Sequence, residues 1–73
     1  MMYTKDFEKL AERLESVVDQ VGMSDTLYVL AQIAWAKAEH LVTNWQDRET
    51  SKLWERVAQI LESASEKAAS LVG

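Results

Sequence analysis

An all-α fold is predicted by three features of this 73-residue sequence. The chain has no proline and only two glycines, at positions 22 and 73, so long stretches are free of helix breakers. Apolar residues recur every three or four positions, which is the period of an amphipathic helix. No segment shows the pattern of a strand. We therefore expect a single helical domain, residues 1–73, folded as an up-down-up three-helix bundle.

The first helix is predicted at about residues 5–21. Its apolar positions alternate in steps of three and four and form one face: Phe7, Leu10, Leu14, Val17 and Val21. Thr4 is suited to the N-cap, because its hydroxyl can accept a hydrogen bond from a free N–H of the first turn. Gly22 is suited to the C′ position in the left-handed conformation, which would end this helix.

The second helix is predicted at about residues 25–44, after a tight turn over residues 23–25 in which Ser24 is the N-cap. The short connection predicts that the first two helices are antiparallel neighbours. Alanine fills the middle of the apolar seam of this helix, which consists of Leu27, Ala31, Ala34, Ala38, Leu41 and Trp45. Because small side chains let a neighbouring helix approach closely, we expect Ala34 and Ala38 to lie in a close helix–helix contact.

A third helix is predicted at about residues 48–71. The break before it contains neither glycine nor proline, but Asn44 can adopt the left-handed conformation and Asp47 is a good N-cap. The apolar seam loses its phase here and resumes as Trp54, Val57, Leu61, Ala64, Ala68 and Leu71. Without this break, the second and third helices would form one rod of nearly fifty residues.

A second apolar face is predicted on the helix at 25–44, because Val29, Ile33 and Ala36 lie opposite its seam, where a surface helix normally carries charge. His40 lies at the rim of this face. A symmetric patch on one helix pairs most simply with itself. We therefore expect self-association through the second helix, with Val29, Ile33, Ala36 and His40 as the contact face.

Composition narrows the classes of function. The net charge of −4 disfavours a phosphate backbone as the partner, since nucleic-acid-binding domains are usually basic. The chain has no cysteine and a single histidine, so we expect no disulfide, metal or other cofactor. No apolar run approaches the roughly 20 residues of a membrane span, and the first residues do not look like a signal peptide. We expect a cytoplasmic protein that does not bind membranes.

The favoured function is a non-catalytic protein–protein interaction module that acts as a small helical homodimer or as an adaptor for another protein. Two alternatives stay open. Basic residues in two helical stripes are compatible with a small nucleic-acid-associated regulator: Lys5, Lys9 and Arg13 in the first helix, and Arg48, Lys52 and Arg56 in the third. Aromatic residues at helical spacing, namely Tyr28, Trp35, Trp45 and Trp54, are more often core than ligand-binding, but they can also line a groove for a small molecule. No catalytic group is evident, and we do not expect an enzyme.

Overall fold

Two helices make up the protein in the computed structural model, which describes residues 5–72. Helix α1 is Lys5–Trp45 and helix α2 is Arg48–Val72, and Gln46 and Asp47 join them. No strand occurs in the described range. The predicted all-α class is therefore confirmed, whereas the predicted three-helix bundle is wrong.

The error lies at Gly22, which interrupts α1 without reversing it. Gly22 has φ 88° and ψ 162°, and helical geometry resumes directly after it. Antiparallel helices need a connection of about two to five residues, and here a single residue leaves the helical conformation. The predicted turn at residues 23–25 does not exist, and Ser24 lies inside the helix. The hydroxyl of Thr26 donates to the Gly22 carbonyl at 2.7 Å and supports the bend.

The bend divides the molecule into two parts, which we call the arm, residues 5–21, and the hairpin, residues 23–72. An arm of this length is about 25 Å long. The molecule measures 37 × 33 × 18 Å, so the arm projects sideways from the hairpin instead of lying along it. The radius of gyration is 14.3 Å, against about 11 Å for a compact domain of this length.

The hairpin is held together by small side chains. Ala31 and Ala58 are fully buried, Ala34 is 2% exposed and Ala38 is 3% exposed. The largest fully buried side chain is that of Ser51. The predicted close contact at Ala34 and Ala38 is confirmed, and the same contact on α2 is made by alanine and serine.

Hydrogen bonds cross the hairpin between the same small residues. Ser24 Oγ donates to the Ser65 carbonyl at 3.0 Å, and Ser65 Oγ donates to the Ser24 carbonyl at 2.8 Å. Nearer the turn, Ser51 Oγ donates to the Ala38 carbonyl at 2.8 Å. A side chain as short as serine reaches the backbone of the facing helix only when the two helices are very close. The two segments therefore run antiparallel at close range.

The connection between α1 and α2 follows the predicted break at 45–47. Asp47 is the N-cap of α2, since its Oδ1 accepts from the backbone N–H of Thr50 at 3.1 Å. This hydrogen bond, together with one from the Thr50 hydroxyl, lowers the pKa of the Asp47 carboxyl below its ordinary value of 3.8. The left-handed residue is Gln46, with φ 52°, and not Asn44 as predicted. The N-cap predicted at Thr4 lies outside the described residues.

Candidate functional site

The arm presents an apolar stripe that the rest of residues 5–72 leaves exposed. Its five residues are between 38% and 54% exposed: Phe7, Leu10, Leu14, Val17 and Val21. Of residues 6–21, only Val18 is even half-buried. The steps of three and four place all five side chains on one side of the helix. This surface, called the arm stripe below, has the pattern of a helix face that packs against another helix.

Helix α2 carries a second apolar stripe. Its large members are Leu53, Val57, Ile60 and Leu71, which are between 42% and 86% exposed. At 100° per residue these side chains lie more than a quarter turn from Ala58, which faces α1. The predicted seam of this helix is therefore rotated, because the side that contacts α1 is formed by Ser51, Ala58 and Ser65.

One side of the hairpin carries apolar residues from both helices. The pairing of Ser24 with Ser65 sets the heights of the two helices, and it places Leu30 level with Ile60. Leu30 is 38% exposed, and helical geometry directs it to the same side of the hairpin as Val57, whereas Ile60 points about 160° away from Ala58 and lies at the outer edge of this side. We call this surface the hairpin groove and define it by Leu30, Val57, Ile60 and Ala64.

The total exposed area is large for a chain of this size. The surface accessible to solvent is 6169 Å², whereas a folded monomer of 8.3 kDa exposes about 4,600 Å². The excess is about 1,600 Å², and a standard protein–protein interface removes about 800 Å² from each partner. The chain therefore exposes enough additional surface for such an interface.

The four residues predicted as a self-association face are all at the surface. Val29 is 51% exposed and Ile33 is 49% exposed, and Ala36 and His40 are exposed as well. Ile33, Ala36 and His40 line one shallow cleft, together with Lys37. Helical geometry places this patch on the side of α1 that faces away from α2. The structure brings these residues together, and their role in association stays a prediction.

His40 is held by its own helix. The indole N–H of Trp45 donates to His40 Nε2 at 3.3 Å, so Nε2 carries no proton and the neutral ring is protonated at Nδ1. Nδ1 lies 2.7 Å from the side-chain nitrogen Nδ2 of Asn44. Both ring nitrogens are therefore engaged by neighbours in α1.

The aromatic residues do not share one environment. Trp35 is half-buried and donates its indole N–H to Glu62 Oε2 at 3.2 Å across the hairpin. Trp45 is 71% exposed at the end of α1, and Tyr28 is 53% exposed. Trp35 lines a shallow cleft with Ala38, Val42 and Ser51. Tyr28, Trp45 and Trp54 do not contribute to that cleft.

Residues 5–72 contain no group of three or more histidine and carboxylate side chains placed to hold a metal ion. Neither described helix is long and apolar enough to cross a membrane.

The signal that the sequence predictions missed is a repeat of small residues every seven positions. Ser24, Ala31 and Ala38 on α1 face Ser65, Ala58 and Ser51 on α2. Such matched spacing indicates which sides of two antiparallel helices meet.

Comparisons with protein-family models, with curated protein sequences and with solved structures found no match to this chain. Its function therefore has to be argued from the exposed apolar surfaces themselves.

Proposed function

We propose that this chain is a non-catalytic protein–protein interaction module, which acts as a small helical homodimer or as an adaptor for another protein. One observation carries the proposal. The buried residues of the hairpin are alanine, serine and threonine, while 16 large hydrophobic side chains among the described residues are more than a third exposed. Monomeric proteins rarely leave large apolar patches uncovered, and contiguous patches mark interaction sites.

The arrangement of the exposed side chains supports the same proposal. Nine of the 16 lie in the helical stripes of the arm and of α2, and the other seven lie on residues 23–45 of α1. Burial of such side chains stabilises an assembly by about 25 cal/mol per Å² of apolar surface. The excess area given above is sufficient for an interface of standard size.

The experiment is sedimentation equilibrium of the full chain at roughly 1 to 100 µM, a range that covers micromolar association, with circular dichroism as the check on folding. We expect the mass of two or more chains of 8.3 kDa each. A helical, folded monomer over the whole range would contradict the homodimer. Only the adaptor form would then remain, in which a different protein covers the stripes.

A further inference from the structure

We infer that the arm of one copy docks into the hairpin groove of a second copy, and that the exchange is reciprocal. This inference rests on the proposed function and names the surfaces by which two copies meet. The first step is that one chain carries two unpartnered surfaces of complementary shape. The arm stripe is convex and belongs to a single helix, whereas the hairpin groove lies between two helices. A single helix packs well between two others, because its side chains fit the groove that they leave.

The bend at Gly22 explains why the chain does not fill its own groove. Only one residue leaves the helical conformation there, which is too short a connection for the arm to turn back onto the hairpin. The arm therefore projects away from its own groove while remaining available to another molecule. Exchange of an identical element between two copies is a low-cost route to a dimer, because each copy supplies what the other lacks.

The lengths of the two surfaces agree. From Phe7 to Val21 the arm stripe extends about 21 Å, and from Leu53 to Leu71 the exposed stripe of α2 extends about 27 Å. The arm stripe is therefore shorter than the exposed stripe of α2, part of which forms the groove. Two reciprocal contacts of this kind would cover both stripes on both copies, and the excess exposed area of each copy is about 1,600 Å² relative to a compact monomer.

The edges of the two surfaces carry opposite charge. Glu8 and Glu15, which are exposed and seven residues apart, border the arm stripe. Arg56 and Lys67 are exposed, and with Ile60 and Ala64 they line a cleft formed by α2 alone, on the side of that helix away from α1. The acidic and basic edges meet when the arm runs parallel to α2 of the second copy. Exposed ion pairs of this kind contribute little affinity but favour one orientation.

The test uses three variants of the full chain that replace side chains of similar exposure. Leu14→Glu alters the arm stripe, Ile60→Glu alters the groove, and Val29→Glu is the control on the far side of the hairpin. These residues are 52%, 67% and 51% exposed, respectively, so none of the substitutions places a carboxylate in the alanine and serine core. Dimerisation is measured by sedimentation equilibrium, and helix content by circular dichroism.

We expect the unmodified chain and Val29→Glu to dimerise equally well. Leu14→Glu and Ile60→Glu should each raise the dissociation constant of the dimer at least about 100-fold. Each substitution occurs twice in a symmetric dimer, and a few buried contacts supply most of the affinity of an interface. An equimolar mixture of these two variants should form a heterodimer, since the intact arm of the Ile60→Glu chain can occupy the intact groove of the Leu14→Glu chain. Isotope labelling of one variant lets native mass spectrometry identify the heterodimer.

Formation of the heterodimer in the mixture does not depend on whether the Leu14→Glu arm stays helical, because the contact that forms uses only the unaltered arm and the unaltered groove. A Leu14→Glu chain that dimerises like the unmodified chain would overturn the inference, and so would failure of the mixture to form a heterodimer. In either case a dimeric unmodified chain would still support the proposed function. Loss of the dimer in Val29→Glu alone would assign the interface to the far side of the hairpin. A folded monomer of the unmodified chain would overturn the inference and the homodimer together.

Discussion

The hairpin and the arm are built from the same kind of amphipathic helix, yet they use it in opposite ways. In the hairpin, Ala31 on α1 and Ala58 on α2 are fully buried between the two helices. In the arm, Phe7 and Leu14 are more than half exposed. Within the chain, the most deeply buried positions hold the smallest side chains. Large side chains such as Trp35, Trp54 and Leu61 are half-buried beside them, and many others are exposed.

This division has an energetic consequence. Burial of a methyl-sized side chain stabilises the fold far less than burial of leucine or phenylalanine, which contributes about 1.5–3 kcal/mol. The hairpin gains instead from the close approach of its helices and from the hydrogen bonds of Ser24, Ser51 and Ser65. The arm, at 17 residues, has a length at which isolated helices are marginal in water. Most of the apolar stabilisation available to this sequence is therefore left for contacts outside the chain.

The largest expected effect comes from breaking the close contact of the hairpin. Ala58→Leu adds a bulky side chain at a fully buried position, and overpacking of this kind costs about 1–3 kcal/mol in free energy of unfolding. Ala36→Leu is the matched control, because Ala36 is exposed on α1 and surface substitutions usually change stability by less than about 0.5 kcal/mol. Thermal unfolding followed by circular dichroism gives both values. Equal melting temperatures would mean that the helices of the hairpin are not closely packed.

A substitution at Gly22 should change the angle between the arm and the hairpin. A side chain added there meets nothing within 4 Å, but φ is +88°, so alanine is strained by the backbone alone, at a cost of about 1–2 kcal/mol. Alanine also has the highest helix propensity. We expect Gly22→Ala to straighten α1 into a rod of about 60 Å, seen as a larger radius of gyration in small-angle X-ray scattering. An unchanged scattering curve would show that the bend does not depend on glycine.

The smallest effect concerns the turn of the hairpin. Because Thr50 hydrogen bonds lower the pKa of Asp47 in the folded state, the ionised carboxylate stabilises the fold at pH values above its ordinary pKa. This contribution is lost as the pH falls through the lowered pKa. Asp47→Asn keeps a good N-cap but does not titrate. Between pH 5 and pH 2, set by the ordinary pKa near 3.8, the variant should lose less stability than the unmodified chain. The same acid sensitivity in both proteins would contradict a role for this carboxylate.

Several elements of this architecture are readable from the sequence because their causes are local. The break near Asp47 follows from N-cap chemistry and from the phase of the apolar residues, and α2 begins at Arg48 as expected. The close contact at Ala34 and Ala38 follows from side-chain size. Both depend on residues within one or two helical turns, where periodicity carries information.

The number of helices could not be read in the same way. Glycine at position 22 indicates a backbone with positive φ, which is found, but a positive φ fits both a helix end with chain reversal and a bend between two helical segments. The apolar periodicity of the arm predicts that it needs a partner surface. It does not indicate whether that surface belongs to the same chain, because an amphipathic helix has the same pattern in both cases.

The seven-residue spacing of small side chains leaves the alignment of the two helices open. Sliding α2 past α1 by seven residues would place Ser24 against Ala58 and Ala31 against Ser51, which again pairs only small residues. The small residues determine how closely the helices approach, but most of their pairings would be preserved if one helix shifted by seven residues. What selects a single register is the two-residue connection at Gln46 and Asp47, together with the reciprocal serine hydrogen bonds at the far end. Lengthening that connection would release the hairpin to sample neighbouring registers, each of which would present a different groove.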